Sequence, residues 1–165
     1  MGHGFAAVFL VSTLATWVPV QTPAKPDFSG TWKLDPTASV VAPPPGASAG
    51  SKAVSQGLLE PIVVKQNAES LAVTSKPGDD PFTFTYRLDG STSKLAWPSG
   101  AGETVDATAV AKWDADKLRI ATHISINGAV YDNTEIWSMA DHRLTIELTT
   151  SRGKQVRVYA RVVER

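Results

Sequence analysis

Cysteine is absent from the 165 residues. That excludes thiol nucleophiles, zinc–thiolate sites, iron–sulfur clusters and disulfide staples. Net charge is missing too: sixteen basic side chains balance sixteen acidic ones. With no long run of like charge, neither nucleic acid nor an anionic membrane surface is expected as a partner. Histidine is scarce, three in all, and His3 lies in the first few residues. The H-E-x-x-H, phosphate-loop and dinucleotide-binding patterns do not occur, and no catalytic residue, cofactor or metal is assigned. Long apolar runs are confined to one place, near the N-terminus.

That place is FAAVFLVSTLATWVPV, Phe5 to Val20, followed by Gln21, Thr22 and Pro23. Its length suits the hydrophobic region of a signal peptide and falls short of the roughly 20 residues of a spanning helix. Met1 to Gly4 carries no Lys or Arg, and no A-x-A pattern precedes the change in composition. Both features depart from the usual signal pattern, yet the length of the apolar block leads to the expectation that residues 1–24 are a signal peptide, cut near Thr22 or Ala24, and the mature chain is secreted or periplasmic. An uncleaved signal would be its one route to a membrane. The remaining segment, 25–165, is long enough to bury a core without disulfides.

PTASVVAPPPGASAGSKAVSQG, Pro36 to Gly57, has three consecutive prolines among many small residues and predicts a long loop. Loops of that length in a compact domain are mobile or serve as functional lids. Beyond Leu58 the chain becomes a succession of short alternating runs, with turn residues about every 8–12 positions. Asn127-Gly128, within HISINGAVYD, is a strong two-residue hairpin signal. Closing it sets Ile126 against Ala129, Ile124 against Tyr131, Ile120 against Glu135 and Leu118 against Trp137. KWDADKLR turns through Asp114 to Lys117, setting Trp113 against Leu118, Ala111 against Ile120 and Val105 against Ile126. SMADHRLT turns through Ala140 to Arg143, setting Met139 against Leu144, Trp137 against Ile146 and Glu135 against Leu148. Each hairpin is registered on its own turn, yet all three put their apolar residues on one shared face. A slip of one residue in any of them would send that face to water.

Two further hairpins extend the meander. PFTFTYRLDGSTSKLAW sets Leu95 and Trp97 opposite Phe84 and Phe82, and PIVVKQNAESLAVTS pairs Val64 with Val73. The last turn, TSRGKQ, allows two faces. A four-residue turn points Arg157, Tyr159 and Arg161 inward. A three-residue loop with Gly153 in a left-handed bulge points Val156, Val158, Ala160 and Val162 inward. The bulge is expected, because it buries apolar rather than charged side chains. About ten strands and no helix thus follow the N-terminal block, and a long meander loses its open edges by curling until its ends meet. The expected fold is all-β: an antiparallel up-and-down barrel of about eight to ten strands.

PDFSGTWKLD, Pro26 to Asp35, resembles the G-x-W motif of the lipocalins. It is more closely similar to bacterial secreted lipocalin-like proteins that open with a DFSGTWKL strand. AKWDADKLRI and TEIWSMADHRLTIE also resemble that group, so the likeness runs from about Asp27 to the C-terminus. It implies a lipocalin-like barrel with Trp32 at the closed end, packed beneath an arginine from near the chain's end, Arg157 or Arg161. Independently of the resemblance, Gly30 lets the strand bend into a barrel and Trp32 is large enough to plug its end. The chain departs from the group in lacking cysteine, in its long 36–57 segment and in a strand count nearer ten than eight.

His123 falls opposite Asp132 on the solvent face, with no nucleophile beside it, and His142 lies in a turn. Asp79, Asp80, Asp114 and Asp116 are turn acids, too few for a calcium loop. Glu135 is different. The registers point it inward between Tyr131 and Trp137, where a carboxylate needs a partner or an altered pKa. It is a structural salt link to an inward arginine such as Arg157, a carboxylate that escapes to the open rim, a polar anchor for a ligand, or a catalytic base. Phe84, Tyr86, Trp113, Tyr131, Glu135 and Trp137 form the candidate ligand-lining set, although such aromatics also serve as plain core filling. The function expected is that of an exported, non-catalytic barrel holding a small apolar or amphipathic ligand. Its alternatives are an isomerase or hydrolase using Glu135, and a packed protein-interaction module with no ligand.

Overall fold

The computed structural model describes residues 24–40, 61–75, 81–98, 103–151 and 153–163. The apolar N-terminal block with its expected cleavage sites at Thr22 and before Ala24, and residues 41–57 of the expected loop, lie outside the described residues. Ten strands succeed one another: β1 (Gly30–Leu34), β2 (Ile62–Gln66), β3 (Ser70–Ser75), β4 (Phe82–Arg87), β5 (Thr92–Pro98), β6 (Thr104–Asp114), β7 (Lys117–Ile126), β8 (Ala129–Ala140), β9 (Arg143–Thr150) and β10 (Gly153–Arg161). They form one antiparallel sheet in the order β4-β3-β2-β1-β10-β9-β8-β7-β6-β5. Chain neighbours pair throughout, except at β4–β5, and β1 also takes β10 and so joins the two ends of the meander. The result is an up-and-down, nearly closed barrel. Among the described residues there is no helix, and none long and apolar enough to cross a membrane.

The turn chemistry dictates the registers. Asn127 and Gly128 both adopt positive φ, 51° and 79°, the geometry a two-residue hairpin turn requires. Ile126 then pairs with Ala129, Ile120 with Glu135 and Leu118 with Trp137. On the other side of β8, Glu135 pairs with Leu148 and Trp137 with Ile146. Trp113 faces Leu118 and Ala111 faces Ile120, with the β6–β7 ladder running as far as Ala107–Ile124. Val64 pairs with Val73. Burial alternates accordingly along β6 and β7, and Leu118, Ile120 and Ala111 are wholly inaccessible.

Two expected pairings are corrected. Leu95 and Trp97 do not pair with Phe84 and Phe82; they pair with Ala107 and Val105 of β6. No ladder joins β4 to β5 among the described residues, and these strands form the two edges of the sheet. Side chains close the seam instead. The Phe84 and Trp97 rings stack at 4.7 Å between centroids, and the buried Ser93 hydroxyl accepts the Arg87 amide N–H at 2.9 Å. An Asp-Gly turn therefore reverses the chain without zipping the strands it connects.

The second correction concerns β10. Thr150 pairs with Gly153, Gln155 with Leu148, Arg157 with Ile146 and Tyr159 with Leu144. Arg157 and Tyr159 therefore share the inward face, and Val156, Val158 and Ala160 do not. The expected bulge does not form. It presumes that an inward arginine goes unpaired, whereas Arg157 finds an amide acceptor and feels an acid within the barrel. Val156 exchanges backbone hydrogen bonds with Val40, at 2.8 and 2.9 Å, which extends the β1 side of the sheet past its turn.

Residues 26–32 cross one end of the barrel and close it. The Gln66 side chain clasps this segment, accepting from the Phe28 amide and donating to the Pro26 carbonyl, both at 3.0 Å. Phe28 and Trp32 are wholly buried, and the Trp32 indole N–H donates to the Phe28 carbonyl at 2.8 Å. The Arg161 guanidinium lies 4.6 Å from the centre of the Trp32 ring, which settles which arginine covers it. Gly30 makes this stack sterically possible. At φ 143°, a Cβ there would meet Arg161 Nη1 at 2.9 Å.

Candidate ligand site

Above this closed end the inward side chains leave a cavity of about 190 Å³. Ile62 and Val73 line it from β2 and β3, Phe84 and Trp97 from the seam, and Ile146 from β9. Five polar side chains share the space with them: Glu135 of β8, Arg157 and Tyr159 of β10, Tyr86 of β4 and Ser75 of β3. The register explains how they converge. Glu135 and Arg157 flank β9, opposite Leu148 and Ile146 respectively, so their backbones stand two strand spacings apart, roughly 10 Å. Their side chains lean into one lumen across that distance.

The Trp137 indole N–H donates to Glu135 Oε2 at 2.7 Å, which fixes the carboxyl group. Burial pushes the Glu135 pKa up, against the Trp137 hydrogen bond and the Arg157 charge, both of which favour the ionised form. Arg157 Nη2 donates to Gln155 Oε1 at 3.1 Å, while its buried Nε meets no acceptor among the described residues. Such an orphan is unusual, since an unsatisfied buried donor costs about 1–3 kcal/mol. Burial and the Glu135 charge hold the Tyr86 phenol well above its ordinary pKa. Burial likewise raises Tyr159, with Arg157 opposing. Both phenols thus stay neutral and able to donate.

Of the six side chains the sequence singles out, Phe84, Tyr86, Glu135 and Trp137 line the cavity. Trp113 belongs to the closed end, stacked on Phe28 at 5.9 Å between centroids, with Lys25 Nζ 5.4 Å from its ring centre. Tyr131 stands at the rim, 37% exposed, where β8 outruns the barrel wall. Arg157 and Tyr159 are the site residues that the expected bulge turns outward. The signal for them is Glu135 itself, since an inward acid calls for an inward cation on a nearby strand. His123 and Asp132 pair on the outer face, Nδ1 to Oδ1 at 2.8 Å, and both are exposed.

No family model matches this chain, and no curated protein matches it. Solved structures do. Human cRBP IV superposes with a TM-score of 0.60 at 15% identity, over 83% of this chain and 99% of that one. A protein described as the REP1-NXSQ fatty acid transporter gives 0.58 at 13%, over 83% and 97%. The wild-type fluorescent protein UnaG gives 0.55 at 20%, over 82% and 97%. The chain therefore has the fold these proteins share, a calycin-like antiparallel barrel of ten strands.

Proposed function

We propose that this protein is an exported, non-catalytic barrel of the bacterial secreted lipocalin-like kind, holding a small amphipathic molecule in its lumen. The observation that carries the reading is the unpaired Nε of Arg157, buried in a cavity whose other walls are largely apolar. A polar head meets the guanidinium there, and apolar burial supplies affinity. The cavity of about 190 Å³ is partly open to solvent, so a polar head lies within it while an apolar tail runs along its walls toward the mouth. That one barrel of this fold is described as a fatty acid transporter lends support to an amphiphile as the occupant.

Native mass spectrometry of the chain purified without denaturant is expected to show a small-molecule adduct. Val73→Trp, which fills the lumen, is expected to remove it; bare chain mass before and after the substitution would count against a bound ligand. Export rests on the apolar block Phe5 to Val20. Mass analysis of protein from the extracytoplasmic fraction is expected to find an N-terminus between Gln21 and Pro26. Full-length chain confined to the cytoplasm would refute export and leave the binding reading intact.

A further inference from the structure

The lumen holds one acid and one base that do not touch. Arg157 acts on Glu135 through space, yet no ion pair within 4.0 Å joins them among the described residues. Each is fixed by another partner: Glu135 Oε2 by the Trp137 indole, Arg157 Nη2 by Gln155. What remains is a carboxylate oxygen that can accept and a buried guanidinium Nε–H with no acceptor among the described residues, on two side chains that line the same small cavity.

Charge restricts what fits between them. A carboxylate head would satisfy Arg157 but stand beside Glu135 in a cavity where like charges are poorly screened. An ammonium head would satisfy Glu135 and be repelled by Arg157. A neutral head that accepts on one atom and donates from the next satisfies both without adding charge. It also repairs the orphaned Nε–H.

We infer that Glu135 and Arg157 together select a neutral, dipolar headgroup of the carboxamide or lactam type, its carbonyl toward Arg157 and its N–H toward Glu135. This deepens the ligand-binding reading above and rests on it. Glu135 is then a specificity residue that turns away simple fatty anions. Tyr86 and Tyr159 add no charge to either side of the choice, since both phenols are neutral.

The test uses octanamide, octanoate and octylamine, titrated near neutral pH into nitrogen-15-labelled protein. The Trp137 indole N–H is the reporter, because it already bonds the Glu135 carboxylate. Octanamide is expected to move that resonance saturably and to bind at least about tenfold more tightly than either charged probe, the worth of one unmatched polar contact. In Glu135→Gln, octanoate is expected to overtake octanamide, since the repelling charge is gone and Gln keeps an acceptor for Trp137. In Arg157→Met, octanamide affinity is expected to fall by a similar factor. Octanoate binding as tightly as octanamide to the unaltered protein would overturn the selectivity while sparing the ligand-binding reading. So would an order of preference that Glu135→Gln leaves unchanged. Absence of any lumen shift with all three probes would overturn both.

Discussion

Trp32→Ala is expected to lower folding stability by about 3–5 kcal/mol, the range for truncating a buried aromatic. The side chain is wholly inaccessible and does three jobs at the closed end. It fills part of the core at the closed end, it donates its indole N–H to the Phe28 carbonyl, and it carries the Arg161 guanidinium on its ring. Alanine leaves a cavity, an unpaired buried carbonyl and an arginine with nothing beneath it. Phe28 loses its anchor as well, and with it the contacts to Trp113 and Trp137. Denaturant unfolding measures the change directly. A loss under about 1 kcal/mol would mean that water reaches the end of the barrel in the native protein.

The second large effect concerns pH. Glu135 has a raised pKa in the folded state, chiefly through desolvation. Below the unfolded-state value, both states are protonated and the residue makes no difference. Between the unfolded and folded values the native protein retains a proton that the unfolded chain has released, so stability falls as pH rises. Above the folded value the loss is complete and constant. Glu135→Gln mimics the protonated form and keeps an acceptor for Trp137, so it is expected to be more stable than the parent at neutral pH and equal to it at acid pH. The difference between the two unfolding curves as a function of pH isolates the residue. Asp27, Asp35 and Asp89, whose pKa values are lowered by hydrogen bonds from Ser29, Thr37 and Ser91, act in the opposite sense. Their contribution is present above the unfolded value and lost as pH falls through the folded one, so it lies on the acid side of the Glu135 window. A Gln variant less stable than the parent at neutral pH would mean that the Arg157 attraction outweighs burial.

Much of the barrel was legible because its turns are chemically explicit. Asn127-Gly128 requires positive φ at both positions, and one such turn fixes the register of all of β7 and β8. Asp141 and His142 adopt the same left-handed geometry without a glycine, and there the alternation of Met139, Trp137, Leu144 and Ile146 identified the pairing. The failures came where local rules met tertiary demands. Asp89-Gly90 looks like any tight hairpin, yet a barrel has to place its seam somewhere, and Ser93 with the Phe84–Trp97 stack makes that seam tolerable. At Ser151 the preference for burying valine over arginine failed because a lumen is not a core. Arg157 points into a space that holds an acid and an amide, and no local pattern in the last strand announces either. Trp113 was legible as inward but not as part of the closed end, since its partner Phe28 lies outside the meander that set the registers.

One half-buried acid and one half-buried arginine line a shared lumen, and the Glu135 carboxyl reports on both. Carbon-13 NMR of its side-chain carboxyl across the pH range, in the parent and in Arg157→Met, is the most direct test. The predicted result is a midpoint above the ordinary glutamate value, displaced further upward when the arginine charge is removed. An ordinary midpoint that ignores Arg157→Met would place Glu135 in bulk water and contradict the lumen built around it.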